Sequence, residues 1–151
     1  MSQLIDPLSI QIQTAGVDTT LPLLPEADYL LQVVESTIDA NKDGNGLNWN
    51  LKLATTSEVT AVDGRTIKPN HPVYVTCALQ AREDSKDKDA WLRGLSATMD
   101  AIFQTDINSR PAFNLALAQS AQGKTVIGHV FIDTYQGRQN NKVKTLKAYV
   151  G

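Results

Sequence analysis

Leu47-Asn48-Trp49-Asn50-Leu51-Lys52-Leu53-Ala54 alternates apolar and polar residues with a period of two. Successive side chains of a β-strand point to opposite faces. The run is therefore predicted to be a half-buried strand, with Leu47, Trp49, Leu51 and Leu53 inward and Asn48, Asn50 and Lys52 outward. Val73-Tyr74-Val75-Thr76-Cys77-Ala78-Leu79-Gln80 repeats the alternation, which puts Cys77 in the core and leaves Tyr74 and Thr76 outside. If these two strands pair with their cores aligned, Tyr74 and Lys52 share the outer face.

Working outward, Tyr29 to Ile38 is rich in β-branched and aliphatic residues and reads as a preceding strand; residues 39–46 supply its turn. Between the two alternating runs, Asp63-Gly64 is flanked by Val59-Thr60-Ala61-Val62 and Arg65-Thr66-Ile67-Lys68, which predicts a small hairpin with a two-residue turn. A charged loop from Glu83 to Asp89 offers Ser85, Asp87 or Asp89 as a helix cap. The helix then runs to about Gln104 and buries Trp91, Leu92, Leu95, Met99, Ile102 and Phe103. Asn108-Ser109-Arg110-Pro111 is read as restarting a shorter helix that Gly123 stops. Two strands close the chain, about 125–134 and 142–150, with a loop at 135–141. Residues 1–24, with Leu21-Pro22-Leu23-Leu24-Pro25 at their end, read as an N-terminal arm leading into a domain of residues 25–151. The expected core contains Leu47, Leu51, Leu53, Val73, Val75, Cys77, Leu95, Met99 and Ile102.

Three strands, a helical insertion and two more strands match the OB-fold, a five-stranded Greek-key barrel plugged by a helix between strands 3 and 4. The fold class expected is mainly β, since no helical crossover occurs before Asp87 to support a parallel sheet. Leu24-Pro25-Glu26-Ala27-Asp28-Tyr29, Asp43-Gly44-Asn45-Gly46-Leu47-Asn48-Trp49-Asn50-Leu51 and Gly123-Lys124 to Gly137-Arg138-Gln139-Asn140-Asn141-Lys142-Val143-Lys144 together resemble a bacteriophage family of small single-stranded-DNA-binding-like proteins. The resemblance spans roughly residues 20–150. It implies an OB-like barrel acting in phage DNA replication or recombination. Its expected partners are single-stranded DNA, further copies of the chain, and phage or host replication and recombination proteins. Many single-stranded-DNA-binding proteins recruit partners through an acidic C-terminal tail; here the sequence reads Lys147-Ala148-Tyr149-Val150-Gly151, which puts that mode in doubt.

The composition fits one domain: 151 residues, 42% hydrophobic, with a formal charge of −2 that advertises neither nucleic acid nor disorder. One cysteine precludes an internal disulfide, and with two histidines it cannot complete a four-ligand Cys/His zinc site, so no metal or other cofactor is expected. No apolar run approaches a membrane span, and the expected location is the cytoplasm, that of the host cell if the protein is phage-encoded. No phosphate loop, nucleophile elbow or histidine pair supports an enzyme. Asp43-Gly44-Asn45-Gly46 lacks the alternating ligands and closing Glu of a calcium loop and reads as a turn. Cys77 and His129 receive no role.

Charge is uneven along the chain. Residues 1–40 carry six acids and no Lys or Arg, whereas residues 124–151 carry Lys124, Arg138, Lys142, Lys144 and Lys147 against Asp133. Either the two ends neutralise each other or the second forms a basic stripe. Binding single strands without sequence preference takes aromatic faces for stacking and cations along the phosphate path. The candidate DNA-binding residues are Trp49, Lys52, Tyr74, Tyr135, Arg138, Lys142 and Lys144, with Lys142 and Lys144 on one side of the last strand because they are two apart. For Trp49 the phase with Leu51 and Leu53 favours core burial. For the lysines the competing use is to keep an edge strand from aggregating. The rival function is a phage structural, assembly or host-interaction protein built on the same β-barrel.

Overall fold

The computed structural model describes residues 7–16 and 20–150. Parts of the expected arm, residues 1–6 and 17–19, lie outside the described residues, as does Gly151. Five long strands, β1 (Ala27–Ala40), β2 (Leu47–Thr55), β5 (Pro72–Ala78), β6 (Thr125–Tyr135) and β7 (Arg138–Ala148), form one sheet in the order β5-β2-β1-β6-β7. Every neighbouring pair is antiparallel. The two-residue strands β3 (Val59–Thr60) and β4 (Thr66–Ile67) make the small hairpin, and helices α1 (Ala90–Phe103) and α2 (Leu115–Ser120) lie between β5 and β6.

β1 serves two neighbours in succession. Residues 27–32 pair with β6, and residues 31–40 pair with β2. A bulge at Val34, which stands opposite no residue of β2, marks the place where β1 leaves β6 and goes on with β2 alone. Bulges increase local twist and bend a strand. The sheet curls until its two edge strands, β5 and β7, approach each other, with α1 packed against both. The expected closed barrel is not formed: among the described residues no ladder joins β5 to β7. In its place Val75 of β5, residues 143–146 of β7, and Gly94, Ala97 and Thr98 of α1 line a cleft of about 280 Å³.

The inward face follows the period-2 reading. Trp49, Leu51, Leu53, Val73 and Cys77 are buried with Leu31, Val33, Val126 and Val130, and α1 closes over them with Leu95, Met99 and Ile102. Two expected core residues are corrections: Leu47 is 50% exposed because β2 begins there, at the rim, and Val75 is only half-buried because it lines the open cleft. Leu92 of the expected apolar helix face is also exposed. Leu24, at the end of the expected arm, has no exposed surface; its N–H donates to Asn141 Oδ1 at 2.8 Å, and the Asn141 amide donates back to the Leu24 carbonyl at 2.9 Å.

Several boundaries move for identifiable reasons. The hairpin at Asp63-Gly64 exists, but its ends are tied by Ala61 N–H donating to the Arg65 carbonyl, so the turn is longer than two residues. The second helix begins not at Asn108 but after Asn114, whose side chain accepts from Leu117 N–H. Upstream of it, the Arg110 guanidinium grips Asp100 through two hydrogen bonds of 2.8 and 2.7 Å, and Phe113 packs on Trp49. The loop expected at 135–141 is instead a strand pair: Gln136 and Gly137 have φ of 51° and 76°, as a two-residue turn with left-handed backbone at both positions needs, and Tyr135 pairs directly with Arg138.

Candidate nucleic-acid interface

The ladder between β2 and β5 sets Lys52 opposite Tyr74 and Asn50 opposite Thr76. Directly opposed residues share a face, so the outward side of these strands carries a tyrosine that is 64% exposed beside a half-buried lysine. Thr37 and Asp39 of β1 continue this face. The Thr37 hydroxyl donates to Asp39 Oδ2 at 2.6 Å, the Asn50 amide donates to the same oxygen at 3.0 Å, and the Thr76 hydroxyl donates to Asn50 Oδ1 at 3.0 Å. This polar ladder across three strands holds the Asp39 carboxyl below the usual carboxylate range, chiefly through the Thr37 hydroxyl and then the Asn50 amide. Glu35, opposite Lys52 in the ladder, lines the same shallow depression as Tyr74. The two acids were not singled out from sequence. Their only signal was parity with Lys52 across a register that the bulge at Val34 concealed.

The other candidates divide. Trp49 is a correction to the expected surface: it is fully buried, stacks parallel to Phe103 with ring centroids 6.5 Å apart, and packs at 4.9 Å against Phe113. Its face is occupied by protein and does not reach a base. Tyr135 and Arg138 stand together at the exposed tip of the β6–β7 hairpin. Lys142 forms an ion pair with Asp133 at 2.8 Å, so part of its charge is already answered. Lys144 sits where the β6–β7 register shifts, and it lines the cleft together with Val75, the residue after Tyr74. Tyr74 itself points to the opposite side of β5 from Val75. Arg138 lies six residues from Lys144 along β7, roughly 20 Å away at the rise of a strand. The structure therefore pairs Tyr74 with Lys52 and Tyr135 with Arg138, and sets Lys144 at the cleft.

Among the described residues, no Lys or Arg of residues 124–151 forms an ion pair with an acid of residues 1–40; the direct pairs between the two ends are at His129. Glu26 and Asp28 flank the His129 ring, Oε2 at 3.2 Å from Nε2 and Oδ1 at 2.7 Å from Nδ1, and β6 separates β1 from β7. Among the described residues, Lys52, Arg138, Lys144 and Lys147 carry no ion pair. Asp28 first, and Glu26 second, raise the affinity of His129 for its proton. Cys77 donates to Thr98 Oγ1 at 3.3 Å, and burial pushes its thiol up, which leaves it a poor nucleophile. No group of three or more His, Cys, Asp or Glu side chains that could hold a metal ion occurs among the described residues. No helix among them is long and apolar enough to cross a membrane. No protein-family model matches the chain, and neither does the sequence of any curated protein.

Proposed function

We propose that the protein binds single-stranded DNA, largely without regard to sequence, through an OB-like sheet whose outer β2–β5 face stacks bases. The observation that carries this reading is the cross-strand pair of Lys52 and Tyr74, an exposed aromatic face beside a cation on the second and third long strands. Stacking is available to every base, and cations that replace condensed counterions supply affinity without reading base edges. The strand order, with β1 shared between β2 and β6 and the two edge strands facing each other, is the one an OB barrel would have if opened between its third and fifth strands. That order supports an OB-like assignment, and the family resemblance supports a place in phage replication or recombination. Glu35 and Asp39 bias the phosphate path away from β1, since carboxylates beside phosphates repel.

Fluorescence anisotropy of labelled oligothymidine titrated with the protein at two salt concentrations tests the reading. Saturable binding that weakens as salt rises is expected. Absence of binding at low salt overturns it and leaves the assembly reading, which the open β5 and β7 edges favour.

A further inference from the structure

The cleft between β5 and β7 has a feature that the packing of one chain does not account for. Gly94 lies inside α1 and is exposed, and a Cβ built on it would meet nothing within 4 Å. Glycine is the poorest helix former after proline, so at a roomy, exposed helical site a side chain would stabilise the helix. A glycine there keeps the cleft floor bare. Beside it, Ala97, Val75, Val143 and Leu146 give the cleft apolar walls, and the facing edges of β5 and β7 are joined by no ladder.

Elsewhere the same chain carries a segment written as a strand but not used as one. Leu8-Ser9-Ile10-Gln11-Ile12-Gln13-Thr14 alternates apolar and polar residues, yet residues 10–14 lie in no helix or strand, and Ile10 and Ile12 are 55% and 77% exposed. The segment is uncharged and flanked in sequence by Asp6 and Asp18, with no Lys or Arg anywhere in residues 1–40. The cleft is bordered by Lys144, with Lys147 one residue past Leu146. Pattern and charge are complementary.

We propose that the β5–β7 cleft receives residues 8–14 of a second copy of this chain, with Ile10 and Ile12 over Gly94 and Ala97. Side chains two apart on an extended segment point the same way, so Ile10 and Ile12 can enter one cleft together. Reciprocal exchange of the two arms closes a two-fold dimer, in which each contact occurs twice. The proposal is independent of DNA.

Light scattering of the full chain after size exclusion, without DNA, tests it on three proteins: the parent, the arm double variant Ile10→Asp/Ile12→Asp, and the cleft variant Gly94→Gln. The parent is expected at twice the 16.5 kDa of one chain, and each variant at 16.5 kDa. Gly94→Gln should melt no lower than a monomeric arm variant, which separates a blocked cleft from a damaged fold. An equimolar mixture of the two variants keeps one of the two arm-in-cleft contacts and should form heterodimer only at higher concentration than the parent needs. A monomeric parent or a Gly94→Gln variant that still dimerises overturns the proposal.

Discussion

The indole N–H of Trp49 donates to Ser36 Oγ at 2.8 Å, and Ser36 in turn donates to the Ala118 carbonyl at 2.6 Å. One buried hydroxyl thus satisfies the polar atom of the largest core side chain and ties β1 to α2. Ser36→Ala should leave the buried indole N–H unpaired, at about 1–3 kcal/mol, while the Ala118 carbonyl keeps the Ala121 N–H. Trp49→Ala should cost about 3–5 kcal/mol by cavity formation. Urea unfolding of both single variants and the double would check this: because the residues touch, the double should cost less than the sum.

Tyr74 should behave in the opposite way. Its ring is exposed on a strand face, so Tyr74→Ala should shift the unfolding midpoint little while weakening oligothymidine binding by about 1–3 kcal/mol. A loss of stability with binding unchanged would show that the ring serves the sheet.

The cations should not be equivalent. Changing Lys52, Arg138 and Lys144 together to Gln should flatten the log–log salt dependence of binding by about 2 units, at roughly 0.7 per phosphate on single strands. Lys142→Gln alone should flatten it by less than a free lysine would, because Asp133 already holds that ammonium. A slope unmoved in the triple variant would remove these residues from the phosphate path.

His129 should make stability depend on pH in a defined direction. Asp28 and Glu26 raise its folded-state pKa above the ordinary 6.5, so the folded chain binds the proton more tightly than the unfolded one. The resulting stabilisation is complete below about pH 6.5 and is lost as pH rises through the raised folded value. His71 has its pKa lowered by burial and pulls the other way, penalising the fold as pH falls below 6.5 and contributing nothing above it. The difference between the parent and His129→Gln isolates the first effect. That difference should be largest below about pH 6.5 and shrink as pH rises through the raised folded value, and a constant difference would show that the histidine contributes no charge.

Sequence periodicity carried the reading furthest where one face of a strand is buried and the other is wet. Leu51, Leu53, Val73 and Cys77 fell where alternation put them, and the same parity placed Tyr74 beside Lys52. It failed where the sequence shows no alternation: Gln139, Asn140 and Asn141 are polar in succession, yet each pairs with β6. Burial also settled Trp49, whose indole needed Ser36 thirteen residues away, a partner that no local pattern announces. The Asp100–Arg110 clamp, which delays the second helix, is likewise a contact between segments with no shared periodicity.

The bulge at Val34 also sets how the gene can change. Deleting Val34 would leave Val33 opposite Leu53 and Glu35 opposite Lys52, each on the face it already occupies, whereas a deletion inside either flanking ladder would reverse the facing of the residues beyond it. A reading-frame-preserving loss of one codon there is therefore compatible with the core but not with the curl. The straightened β1 would swing the two sheet edges apart and widen the gap that Gly94 floors, so strand length at this point tunes an opening on the far side of the molecule.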